Sequence, residues 1–278
     1  MRRTYGLKTV NGYLIADMDG EQCLIDTGAP STVTDSCCGM SLADISQMVG
    51  CHVDVVLGGD DVREVWFNVS AGLVSLGESR KGYLTYEGGF LHPQLLTVKH
   101  DCSPAATFVQ DSWKLDIDSF YMGLPIVEIE VDGEFLRLIF DSGSPWTRIP
   151  GKYLDGVAGS KTITEFHPTT GEYELDVVRK ELIVGGESMP LMCGETTDEI
   201  TDLVPDNVHG LLGSEILMSD SFIYIYSARR RSLYRFKEFS NRHQSAPMPG
   251  SVDEMGFVQG REMQMTSIGG VPLDATLA

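Results

Sequence analysis

Cys23-Leu24-Ile25-Asp26-Thr27-Gly28-Ala29-Pro30-Ser31-Thr32 returns in the second half of the chain as Leu138-Ile139-Phe140-Asp141-Ser142-Gly143-Ser144-Pro145-Trp146-Thr147. Both stretches read as a short apolar strand running into D-[ST]-G-[AS]-P-x-T. Upstream of each lies another strand-like run, Tyr13-Leu14-Ile15-Ala16-Asp17-Met18 or Ile126-Val127-Glu128-Ile129-Glu130-Val131. Asp19-Gly20 or Asp132-Gly133 follows, a pair suited to a two-residue hairpin turn because both positions need positive φ. The later copy has two more residues between turn and motif, so the match is not strictly in register.

Downstream the correspondence continues. Val53-Asp54-Val55-Val56-Leu57-Gly58-Gly59 matches Val208-His209-Gly210-Leu211-Leu212-Gly213-Ser214. Strand-like Val65–Val69 and Phe222–Tyr226 come next. The chain therefore carries one unit twice: hairpin, Asp loop, and an apolar strand ending in Leu-Gly. Asp26 to Gly58 spans 32 positions and Asp141 to Gly213 spans 72, so the second copy holds an insertion of 40 residues. Within it, Glu165 to Leu175 reads as a hairpin with Thr169-Thr170-Gly171 at its tip. The best helical segment is Ser41 to Val49, with Ser41 as cap and Asp44 at the capping-box position. Most other apolar runs are short, β-branched and bounded by turn residues, so an all-β class is expected.

Composition narrows the function. A chain of 278 residues with 42% hydrophobic content can bury a large core. A net charge of −19 argues against nucleic acid as the main partner. The basic triplet Arg229-Arg230-Arg231 follows an apolar strand and reads as a solvated turn. No apolar run approaches the roughly 20 residues of a spanning helix, so no membrane partner is expected. The basic start, Met1 to Lys8, lacks the apolar stretch of a secretory signal, and a cytoplasmic location is the expectation. Six cysteines form no CxxC pair and no HExxH occurs, so neither metal nor cofactor is expected.

The paired D-[ST]-G motifs, each followed by an apolar-apolar-Leu-Gly strand, resemble the pepsin/retropepsin superfamily of aspartic peptidases. The resemblance covers about residues 5–70 and 120–236. It implies a bilobal all-β fold with one cleft, built from an N-terminal lobe with its connection (1–118) and a C-terminal lobe (119–238). Residues 239–278 are expected to form a flexible tail, and the chain to act as a two-lobed monomer. The implied reaction is aspartic endopeptidase hydrolysis of a peptide or protein substrate, with Asp26 and Asp141 as the catalytic pair. The alternative is a silent scaffold that binds a peptide or protein without turnover.

The chemistry needs these residue types. Water attacks a peptide bond when one group takes its proton and another protonates the carbonyl oxygen or leaving amine. Two carboxylates a hydrogen bond apart do both, because repulsion makes them share one proton. Gly28 and Gly143 would let the loops approach closely. The resemblance assigns Thr27 and Ser142 to hydrogen bonds across to the opposite loop. It assigns the position after each glycine to a hydroxyl for the outer carboxylate oxygen, filled here by Ser144 but by Ala29 in the first loop. It also makes Thr170, Gly171 and Tyr173 flap candidates, in the second copy rather than the first.

Overall fold

The computed structural model describes residues 3–37, 40–59, 61–76, 95–100, 103–167, 171–197, 204–218, 222–239, 251–252, 258–259, 263–268 and 271–275. Among them β structure dominates. The first copy runs β1 (Arg3–Val10), β2 (Tyr13–Met18), β3 (Glu21–Ile25), the short β4 (Ser36–Cys37) and β5 (Met40–Ser41), α1 (Leu42–Val49) and β6 (Val55–Leu57). Strands β7 (Glu64–Asn68) and β8 (Leu73–Leu76) complete it, and β9 (Leu95–His100) follows. The second runs β10 (Ser103–Tyr121), β11 (Leu124–Val131), β12 (Glu134–Phe140), β13 (Thr147–Ile149), β14 (Lys161–His167), β15 (Gly171–Val184), β16 (Glu187–Glu195), β17 (Gly210–Leu212), β18 (Phe222–Ser227) and β19 (Ser232–Phe239).

The repeated sequence folds as a repeated register. Asp19-Gly20 turns β2 into β3 and Asp132-Gly133 turns β11 into β12, all four residues at positive φ as the turn type requires. β3 then pairs in parallel with β6, setting Ile25 opposite Leu57. β12 pairs in parallel with β17, setting Phe140 opposite Leu212. Alternate residues point to opposite faces. Cys23, Ile25, Leu138 and Phe140 therefore enter the large shared core, while Leu24 and Ile139 face away into smaller clusters. β7 and β18 pair antiparallel, Phe67 opposite Tyr224, which joins the two copies through buried strands.

The copies differ between the Asp loop and the Leu-Gly strand. In the first, α1 is capped by Ser41, whose hydroxyl accepts from the Asp44 N–H while Asp44 accepts from the Ser41 N–H. Gly50 ends it in the left-handed region at φ 82°. Ile45 and Val49 bury the inner face against Leu24 and Val56. In the second, β14, β15 and β16 form an antiparallel meander, with residues 168–170 at the β14–β15 tip outside the described set. Thr170 thus lies outside the described residues.

The chain divides into two compact units, one of residues 1–84 and 113–234 and one of 85–112 and 235–278. The first contains the hairpin, Asp loop and Leu-Gly strand of both copies. In the second, β9 pairs with the beginning of β10. The segment expected to be a tail carries β20 (Ser251–Val252) paired with β21 (Val258–Gln259), and β22 (Met263–Ile268) paired with β23 (Val271–Ala275). These strands lie in sequence whose polar, Gly/Pro-rich composition hides any alternation.

Each Leu-Gly glycine lies against the backbone of the motif loop. A Cβ on Gly58 would sit 2.2 Å from the Ser31 carbonyl, and one on Gly213 would sit 2.6 Å from the Trp146 carbonyl. Neither neighbour is a side chain that could swing aside. Gly58→Ala and Gly213→Ala should each destabilise the fold by about 1–3 kcal/mol, read from urea unfolding midpoints. A change within error for both would show that the loops are not held by this contact.

Candidate active site

Both Asp loops are fastened from below. The Asp26 N–H donates to the Leu57 carbonyl at 3.0 Å and the Asp141 N–H to the Leu212 carbonyl at 2.9 Å. The Gly59 N–H donates to the Ala29 carbonyl and the Ser214 N–H to the Ser144 carbonyl, both at 2.7 Å. The closing threonine of each motif has a use as well. Thr32 Oγ1 accepts from the Gly58 N–H at 3.1 Å, and Thr147 Oγ1 from the Gly213 N–H at 3.3 Å. Every repeated position of D-[ST]-G-[AS]-P-x-T up to its Thr, save the proline and the variable residue, thus has a structural task.

Across the loops the hydroxyls exchange partners. Thr27 Oγ1 donates to the Phe140 carbonyl at 2.8 Å and accepts from the Ser142 N–H at 2.9 Å. Ser142 Oγ donates to the Ile25 carbonyl at 2.8 Å and accepts from the Thr27 N–H at 3.0 Å. Both residues are fully buried, so these bonds meet no competition from solvent. The two glycines complete the approach. A Cβ on Gly28 would lie 2.2 Å from Asp141 Cγ, and one on Gly143 would lie 2.3 Å from Asp26 Cγ.

The result is that the carboxyls of Asp26 and Asp141 hydrogen-bond each other. Burial pushes both upward from the ordinary carboxylate range. Asp26 is partly relieved by hydrogen bonds from Asp141 and from the N–H groups of Gly28 (2.8 Å) and Ala29 (2.9 Å) to its Oδ1. Asp141 rises well above its usual range, by burial, then by the charge of Asp26, then by the hydrogen bond to Asp26. Two buried carboxyls in this contact titrate as a unit, and their repulsion favours one shared proton over full ionisation.

Ser144 departs from the expected arrangement. Its hydroxyl donates to the Trp146 carbonyl at 3.0 Å, and its backbone N–H is what reaches Asp141. The tight loop brings a carbonyl two residues ahead within reach, and a hydroxyl has one proton to give. Asp141 therefore lacks the expected hydroxyl just as Asp26, beside Ala29, lacks one.

Three neighbours carry no motif signal. Arg148 in β13 is 1% exposed, and its guanidinium donates to Glu165 Oε2 at 2.7 Å and to the Tyr173 hydroxyl at 2.6 Å. Glu165 and Tyr173 are cross-strand partners in the β14–β15 hairpin, which places both on the face that meets Arg148. The guanidinium also lies 5.7 Å from the Tyr173 ring centre. Tyr13 is buried beside them, pushed upward by burial and then by the charges of Glu165 and Asp141. Burial also raises Glu165, against the opposing pull of Arg148. So of the flap candidates, Tyr173 joins an anchored cluster next to Asp141, and Gly171 opens β15 opposite His167. The available signal was Arg148 itself, a charge between Thr147 and Ile149 directly after the second motif.

A pocket of about 490 Å³ adjoins this cluster, between Gln47 and Met48 of α1 and Ile163 and Glu165 of β14, with Tyr13 and Trp146 in its wall. Among the described residues no group of His, Cys, Asp or Glu side chains could hold a metal ion. No helix among them is long and apolar enough to cross a membrane. Compared with known protein families and with curated proteins, the chain matches none.

The carboxyl pair has a signature in stability. A buried carboxyl whose folded pKa is raised contributes stability at low pH that is lost as pH rises through that value. Asp141→Asn keeps the shape and removes the second negative charge. It should melt several degrees above the natural chain at mildly alkaline pH and converge with it in acid. Thermal scans across pH check this, and a uniform offset would show that the pair carries no shared proton.

Proposed function

We propose that the protein is an aspartic endopeptidase of the pepsin/retropepsin type, a bilobal monomer with both aspartates supplied by the same chain, acting on a peptide or protein substrate. The observation that carries this reading is the hydrogen bond between the Asp26 and Asp141 carboxyls, held by the reciprocal Thr27–Ser142 exchange. Such a site favours one proton per pair. A water placed between the two would lose a proton to ionised Asp26 as its oxygen attacks the scissile carbonyl. Protonated Asp141 would donate to the carbonyl oxygen, giving a neutral gem-diol. The proton on Asp26 then passes to the leaving amine as the C–N bond breaks, while ionised Asp141 takes back a proton from a gem-diol hydroxyl as the carbonyl re-forms, restoring the pair. The groups needed for turnover are present, which favours an enzyme over a binding scaffold.

The burial that raises both carboxyls predicts the pH profile. Activity requires one proton on the pair, so it fails in acid when both are protonated and in base when both ionise. Both limbs should lie above the range of solvated carboxylates, giving an optimum in weakly acidic to neutral solution. Ala29→Ser should leave the acidic limb nearly in place, because Ser144 shows the hydroxyl turning to its own loop.

Digestion of a denatured casein-type substrate, with and without a statine-type transition-state inhibitor, tests the reaction. Asp26→Asn and Asp141→Asn should each lower kcat by at least about a hundredfold while the protein stays folded. Cleavage that survives Asp141→Asn would remove the peptidase reading.

A further inference from the structure

We infer that the pocket between α1 and the β14–β15 hairpin is a specificity pocket for a long cationic side chain, arginine above lysine, flanking the scissile bond. This rests on the peptidase reading, because it takes the Asp pair as the point of cleavage. The pocket lies beside that point: Pro145 and Trp146, in its wall, directly follow the Asp141 loop, and Tyr13 feels the charges of both Asp141 and Glu165.

The lining decides the class of guest. Trp146 and Tyr13 offer aromatic surface, and Met48 and Ile163 offer apolar surface for an alkyl stem. Glu165 lines the pocket as well, its side chain only 10% exposed. Its Oε2 accepts from Arg148, and its Oε1 is the remaining acceptor on the residue that lines the pocket. A purely apolar guest would cover that carboxylate without replacing its hydrogen bonds, an unfavourable exchange. A guanidinium stacks on aromatic faces and donates in a planar fork to carboxylates, which suits this combination.

The charges agree. Arg148 and Glu165 cancel, and the Asp pair with its single proton leaves one negative charge close by. Exposed Lys161 stands among the lining residues, where solvent screens it. The chain's net charge of −19 attracts cationic substrates over longer range. A volume of about 490 Å³ is ample for an arginine side chain with part of the neighbouring backbone.

The test uses the full chain and a proteome-derived peptide mixture, with cleavage sites read by mass spectrometry. Arginine, and lysine less strongly, should be enriched at one fixed position within a few residues of the cut. In Glu165→Gln the ratio of arginine to apolar residues there should fall about tenfold. Cutting without basic enrichment in the natural chain overturns the pocket assignment and leaves the peptidase reading standing, even if the variant does not fold. If nothing is cut, peptides with an uncleavable hydroxyethylene bond and either arginine or norleucine beside it are titrated instead. Tighter binding of the arginine form by about tenfold then supports the pocket while the peptidase reading falls. Equal binding, or none, overturns it.

Discussion

Everything in the site depends on an exchange of hydrogen bonds between two loops far apart in sequence. Thr27 and Ser142 each give a hydroxyl proton to the opposite strand and receive a backbone N–H from the opposite loop. Each bond contributes only about 1 kcal/mol, yet all four are buried, and removing either hydroxyl takes two of them away at once. The exchange fixes the loop backbones, and the backbones fix Asp26 and Asp141. Two carboxylates would otherwise separate, since their repulsion grows as water is removed. Sharing a proton converts that repulsion into a hydrogen bond. The geometry is therefore stable in one protonation state and strained in the fully ionised one, which is the property acid–base chemistry needs.

The repeated unit supplies a symmetric base, and the two copies diverge above it. Where the first copy places a capped helix, the second places a long meander. The pocket lies between these unlike insertions, so its walls are asymmetric, with Pro145 and Trp146 of the second motif loop between α1 on one side and β14 on the other. A duplicated β unit thus offers equivalent carboxyls and inequivalent surroundings. Each carboxyl receives backbone N–H groups of its own loop, from Gly28 and Ala29 for Asp26 and from Gly143 and Ser144 for Asp141, whereas the charge of Asp141 is the one that acts on Glu165 and Tyr13.

The parts written in short-range patterns were readable in the chain itself. Asp19-Gly20 and Asp132-Gly133 announced their turns, Ser41 and Asp44 their capping box, and the doubled motif its pair of carboxyls. Each depends on neighbours within a few residues, or on a repetition visible by inspection. What was not readable depends on contacts across the fold. Ser144 has the residue type for a carboxylate donor, but loop geometry gives its proton to Trp146. Tyr13 looks like any aromatic in a strand until the hairpin is placed beside it. The strands at 251–275 carry too little alternation to separate them from loop sequence.

Arg148 is the clearest case, and its role follows from charge and fork geometry together. Without it, Glu165 would bring a third carboxylate into a space that already holds two, and burial would drive all three toward protonation. With it, Glu165 is neutralised at one oxygen and the hairpin is tied to β13 through both Glu165 and Tyr173. One buried cation therefore does two things at once: it anchors the insertion that walls the pocket, and it offsets the charge of Glu165 beside the Asp pair. A lysine could supply the charge but not the planar fork that reaches Glu165, Tyr173 and the Glu195 carbonyl together. The residue that the repeated pattern does not announce is the one that lets the second copy differ from the first without disturbing the carboxyls they share.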